Sequence, residues 1–112
     1  MKFDRKLYLC DDEGKRFFGL GPLHLLKLTG KTGSLHKAAD SMGLSYHKAL
    51  DIIRNAEKGF GCALLSKKIG GQGGGGSILT DEAHIIIERF ISFQKKSDEA
   101  LGKAFDEHFR DL

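Results

Sequence analysis

The sequence predicts a mainly α domain with two small β-hairpins, and three observations carry that reading. Residues 34–60 form two helical patterns around a glycine turn, residues 63–80 alternate strand, glycine run and strand, and an apolar-rich helical pattern begins at residue 81. The chain has 112 residues, 40% of them hydrophobic and 29% charged, which suits one small globular body rather than two.

The elements follow in order. Residues 5–10 alternate enough for a strand, Asp11-Asp12-Glu13-Gly14-Lys15 is turn chemistry, and residues 16–20 return as a second strand, giving an N-terminal hairpin over 5–20. Gly21-Pro22 then opens a helix, because proline fits the first helical position, and Leu23, Leu25, Leu26 and Leu28 supply its buried face before Gly30 and Gly33. Ser34 caps a short second helix with Ala38, Ala39 and Met42 inward, and Gly43 ends it in the left-handed conformation that glycine adopts cheaply.

Ser45 caps a third helix. Its apolar residues Ala49, Leu50, Ile53, Ala56 and Phe60 recur at three and four positions, which leaves His47, Lys48, Asp51, Arg54, Asn55 and Lys58 on the other side. One face packs and the other is free to bind. Thr80 caps a fourth helix with Asp81 and Glu82 in its first turn, where carboxylates complement the helix dipole. Ala83, Ile85, Ile86, Ile87, Phe90, Ile91 and Phe93 cover most of its circumference, so it needs a second buried surface such as a partner helix. After Gln94-Lys95-Lys96-Ser97-Asp98-Glu99 an amphipathic pattern resumes with Ala100, Leu101, Ala104, Phe105 and Phe109.

Six of the fifteen glycines fall in Gly70-Gly71-Gln72-Gly73-Gly74-Gly75-Gly76. A phosphate-binding P-loop needs Lys-Ser or Lys-Thr after its last glycine, and here Ser77-Ile78-Leu79-Thr80 follows. The dinucleotide spacing at Gly71, Gly73 and Gly76 lacks the helix that must come next. The glycines therefore read as the tip of a hairpin between Leu64-Leu65-Ser66-Lys67-Lys68-Ile69 and Ser77-Ile78-Leu79-Thr80.

Charge narrows the function classes. Residues 1–80 hold 13 Lys and Arg against 7 Asp and Glu, a balance of +6, whereas residues 81–112 hold 5 against 8, a balance of −3. A basic body with an acidic tail suits an anionic partner. Five histidines and the cysteines Cys10 and Cys62 show neither Cys-x-x-Cys nor His-Glu-x-x-His spacing, so the expectation is no enzyme, no metal and no cofactor. The start, Met1-Lys2-Phe3-Asp4-Arg5-Lys6, lacks the apolar core of a signal peptide, and Ile85-Ile86-Ile87 falls far short of the roughly 18 to 20 apolar residues of a membrane span. A cytoplasmic protein with no membrane partner is expected.

Ala39, Gly43, Ala49 and Ile52 have the spacing of a helix-turn-helix: a small residue where the helices approach, a glycine in the turn, and apolar residues that seat the second helix. Three helices followed by a hairpin with a basic stem is the order of a winged helix-turn-helix. The reading therefore divides the chain into a winged body over residues 1–80, with its helix-turn-helix at 34–60 and its wing at 63–80, and a C-terminal dimerisation helix at 81–112.

The segments Thr32-Gly33-Ser34-Leu35, Ala38-Ala39, Met42-Gly43-Leu44-Ser45-Tyr46, the glycine run at 70–76 and Leu79-Thr80 resemble the N-terminal domain of ModE-type molybdate-responsive transcriptional regulators, relatives of the LysR-type DNA-binding domain. The resemblance covers residues 16–93, with Leu50 standing where the family usually has tryptophan. It implies a homodimer that binds a pseudo-palindromic site on double-stranded DNA, with the fourth helices paired. The oxyanion-binding domains of the molybdate sensors have no counterpart in these residues, so molybdate binding is not carried over and any effector or partner protein is unassigned.

Candidate DNA-binding residues follow. Tyr46, His47, Lys48, Asp51 and Arg54 lie on the third helix, with Lys48 aimed at a guanine edge or a phosphate, His47 at a base edge or a phosphate, and Tyr46 either at a phosphate or in the core. Ser45 caps and can also meet a phosphate; Ser34 and Lys37 sit at the start of the second helix; Lys67, Lys68, Gly73 and Gly74 belong to the wing. Ile86, Phe90, Phe93, Leu101 and Phe105 are the expected dimer contacts. The rival readings are a winged helix used as a protein-interaction module and a protein that organises DNA without regulating a gene.

Overall fold

The computed structural model describes residues 1–68 and 76–112. Its elements run β1 (Leu9–Cys10), β2 (Arg16–Phe18), α1 (Leu20–Thr32), α2 (Leu35–Ser41), α3 (Tyr46–Phe60), β3 (Leu65–Lys68), β4 (Gly76–Leu79) and α4 (Asp81–Phe109). This is a mainly α, winged helix-like fold with two separate antiparallel hairpins, β1 with β2 and β3 with β4.

The N-terminal hairpin is shorter than the alternation over 5–10 and 16–20 predicts. Its turn is held by Asp11, whose carboxylate accepts from the amides of Glu13 and Lys15, each at 2.9 Å. Residues before Leu9 are drawn away by α4 instead of extending the ladder: Arg5 pairs with Asp98, and the rings of Phe3 and Phe105 lie 5.1 Å apart. The strand's other end is cut short because Gly19, in extended conformation, already caps α1.

Helix α1 starts at Leu20, so Pro22 is its third residue rather than its first. The physical reason is that the amides of the first three helical residues have no intrahelical acceptor, the first helical bond here being that from Leu23 to the Gly19 carbonyl, so proline is tolerated at the third position. Gly30 lies inside α1, and Gly33 ends it in the left-handed region at φ 72°, its amide donating to the Thr29 carbonyl at 2.8 Å. A Cβ on Gly30 would come within 2.7 Å of a Leu79 methyl, so glycine there allows β4 to rest on α1.

The predicted caps of the next two helices are present. Ser34 Oγ accepts from the Lys37 amide at 3.1 Å, Ser45 Oγ accepts from the Lys48 amide at 3.0 Å, and Gly43 makes the turn between α2 and α3 at φ 68°. Ala38 and Ala39 meet Ala49, Ile53 and Ala56 in a core completed by Leu25, Leu26 and Leu64, all essentially sealed from solvent. Small residues at this crossing let α2 and α3 approach closely.

The second hairpin pairs Leu65 with Leu79, Ser66 with Ile78, Lys67 with Ser77 and Lys68 with Gly76. Its root is fastened by three bonds. The Glu57 carboxylate accepts from the Leu64 amide at 2.8 Å, the Thr80 amide donates to the Leu64 carbonyl at 3.0 Å, and the Thr80 hydroxyl donates to the Ala63 carbonyl at 2.7 Å.

Thr80 Oγ1 also accepts from the Ala83 amide at 3.1 Å and so caps α4. The helix runs 29 residues without a break at the polar stretch 94–99, whose residue types are ordinary helix formers apart from Ser97 and Asp98. Only its first half joins the core, through Ala83 and Phe90.

Candidate nucleic-acid interface

The site is built from the outward face of α3, the turn that leads into it, and the second hairpin. Ser45 stops the chain in extended conformation and its hydroxyl closes the first turn of α3, which fixes where Tyr46, His47 and Lys48 emerge. Ala49, Ile53 and Ala56 bury the opposite side, so His47, Lys48, Asp51 and Arg54 are all exposed. His47 Nε2 lies 3.6 Å from Asp51 Oδ2 one turn further on, a loose surface contact between two exposed side chains. Lys48 and Arg54 form no ion pair among the described residues, leaving their charges available to an anion.

Tyr46 is 41% exposed and therefore does not seat α3 in the core. Its ring lies flat on that of His36, with centroids 3.8 Å apart and planes within 10°. His36 was not picked out by its sequence position. It comes ten residues before Tyr46, on another helix, and no periodicity links them.

Ser34 is half-buried as the cap of α2, whereas Lys37 is exposed beside it. The wing reaches the same region from its base: the Ser77 amide donates to the Gly33 carbonyl at 2.9 Å, tying β4 to the turn between α1 and α2. Lys67 projects into solvent from β3, and Lys68 lies opposite Gly76 in the ladder. Gly73 and Gly74 lie outside the described residues.

The expected dimer contacts separate into two groups. Phe90 is 3% exposed and meets Phe18 edge-on at 5.1 Å, so its ring serves the core of its own chain, and Phe105 is half-buried against Phe3. Ile86 is half-buried, while Phe93 and Leu101 are exposed at 45% and 39%. Between α4, β1 and the end of α3 runs a groove of about 320 Å³ lined by Leu9, Phe60, Ile86, Arg89, Phe90 and Phe93.

Among the described residues no cluster of His, Cys, Asp and Glu is arranged to hold a metal ion, and no helix is long and apolar enough to cross a membrane. Cys10 is exposed and Cys62 half-buried, both as free thiols.

No protein-family model matches the chain. It is 33% identical over 89 residues to the molybdenum transport protein ModE of Herbaspirillum seropedicae, which covers 80% of this chain and 31% of the relative. It is 32% identical over 83 residues to the DNA-binding transcriptional dual regulator ModE of Escherichia coli, covering 71% and 32% respectively. The molybdenum-pterin-binding protein MopB of Rhodobacter capsulatus is 33% identical over 66 residues, 59% of this chain and 24% of that protein. The chain thus spans about a third of the length of the ModE proteins it matches. Over the N-terminal 70–80% of its length the chain is a homologue of the ModE and MopB proteins, and what it matches in them is an N-terminal ModE-like domain.

Proposed function

We propose that this chain is a sequence-specific DNA-binding transcriptional regulator, not an enzyme, that acts on cytoplasmic DNA as a homodimer. Residues 1–80 form the reader and residues 81–112 the pairing helix. The observation that carries the reading is the polar face of α3, where a capped helix start presents His47, Lys48, Asp51 and Arg54 to solvent beside a hairpin rooted on the turn before α2. A helix-turn-helix lays the first residues of its second helix against base edges in the major groove while the preceding helix crosses the backbone. Lys48 then reads a base, His47 and Asp51 share an edge, and Arg54, Lys37, Ser34 and Ser45 meet phosphates. Lys67, Lys68, Gly73 and Gly74 carry the wing to the neighbouring backbone.

Pairing uses the exposed Phe93 and Leu101 of α4, bordered by Ile86 and Phe105, with the adjoining apolar groove receiving the second copy's helix. Two readers related by a two-fold axis match a pseudo-palindromic site whose half-sites lie about one helical turn apart.

The test is selection of bound duplexes from a random-sequence pool by the purified chain, with and without molybdate, alongside a mass measurement in solution. The expected result is one palindromic motif, unchanged by molybdate, bound by a dimer. Recovery of no motif overturns sequence-specific regulation, and recovery of no duplex at all points to a protein-interaction module. For the recovered duplex, Lys48→Ala weakens binding by about 1 to 3 kcal/mol if Lys48 reads a base; undiminished affinity removes it from the contact set.

A further inference from the structure

The stacked pair His36 and Tyr46 is unexplained by the core. Both rings are exposed, and α2 and α3 are already held together by Ala38, Ala39, Ala49 and Ile53 beneath them. Face-to-face contact at 3.8 Å covers one face of the phenol and leaves the other face to solvent. Among the described residues the Tyr46 hydroxyl has no hydrogen-bond partner. An exposed tyrosine at the first residue of a helix would otherwise exchange between rotamers, and ordering it on binding reduces affinity. A flat ring already resting against it removes much of that loss.

We propose that His36 is a positioning residue for the duplex interface: its imidazole holds the Tyr46 ring so that the hydroxyl donates to a backbone phosphate at the edge of the groove that α3 enters. A phosphate rather than a base suits this hydroxyl, because Tyr46 sits where α2 hands over to α3 and the helix before the reading helix crosses the backbone. The inference rests on the DNA-binding reading of the α3 face.

The experiment uses the full chain and the duplex that the unaltered chain selects from a random pool. His36→Ala weakens binding about three- to tenfold, the range expected when one side chain must be ordered on binding, and lowers the melting temperature by about a few degrees at most. His36→Phe, which keeps a flat ring and discards the imidazole nitrogens, returns affinity to within about twofold of the original. In a Tyr46→Ala background His36→Ala has no further effect, since the two residues act as one unit. Tyr46→Phe, which keeps the stack and loses the hydroxyl, binds as weakly as His36→Ala. Full affinity in His36→Ala, failure of His36→Phe to restore it, or additive losses in the double variant each overturn the assignment while leaving DNA binding intact. Absence of duplex binding by the unaltered chain overturns the underlying reading instead, and with it the role of His36.

Discussion

The two hairpins are both short and antiparallel, yet they are fastened in opposite ways. β1–β2 drives side chains into the body: Phe17 and Phe18 meet Phe60 edge-on at 5.0 and 5.1 Å, Phe18 reaches on to Phe90, and Asn55 donates to the Arg16 carbonyl at 3.3 Å. β3–β4 is gripped at its root by the Glu57 carboxylate, which accepts from the Leu64 amide, and by the Thr80 hydroxyl, which donates to the Ala63 carbonyl, while Lys67 and Ile78 remain exposed. Aromatic burial locks the first hairpin along its length, whereas the second rests on α1 through Leu79 and the Ser77 bond to Gly33 and keeps Lys67 and Ile78 accessible. The first hairpin is thus a wedge that supports the end of α3, and the second is an arm.

Four substitutions can break or sharpen that contrast. Phe18→Ala empties a site that is 1% exposed and shared by α3 and α4, and is expected to destabilise the chain by about 3 to 5 kcal/mol in denaturant melts. A loss of under about 1 kcal/mol would show that the first hairpin is not a wedge. Gly59→Ala places a Cβ 2.1 Å from the root of the Phe17 ring. Overpacking of about 1 to 3 kcal/mol is partly offset by about 1 kcal/mol of helix propensity, leaving a net destabilisation measurable in the same melt.

Thr80→Ala removes both the α4 cap and the bond to Ala63, for about 1 to 2 kcal/mol. Its distinguishing result is faster amide exchange at the root of the second hairpin and unchanged exchange in the first. The smallest stability effect belongs to Lys67→Ala, within about 0.5 kcal/mol, because the side chain is exposed and makes no hydrogen bond or ion pair among the described residues. Its expected consequence is instead a shallower salt dependence of DNA binding, by about one phosphate contact. An unaltered slope would take the arm's stem off the DNA.

How much of this was legible in the sequence depended on the range of the forces involved. As caps and turns, Ser34, Ser45, Thr80, Gly33 and Gly43 work on residues within four positions of themselves, and in that role each does what its local chemistry predicts. The glycine-flanked strands paired as expected because β-hairpins are local too. What could not be read were contacts made across the chain. Arg5 meets Asp98 across 93 positions and shortens β1; Phe18 draws Phe90 inward, away from the surface where helical periodicity alone left it. The apolar excess of α4 did not show which residues turn toward the chain's own core and which, like Phe93, stay outside. Among the candidate interface residues, the exposed face of α3 followed from amphipathic spacing, whereas the partnership of His36 with Tyr46 required knowing how α2 and α3 cross.

The bond from the Ser77 amide to the Gly33 carbonyl joins the base of the arm to the peptide where α1 stops and α2 is about to start. Tilting β4 therefore pulls on the same peptide that sets the direction of α2, and through the Gly43 turn on α3. Arm and α3 are geared together twice, through this main-chain bond and through the Glu57 carboxylate that accepts from the Leu64 amide, so a force applied to either is transmitted to the other.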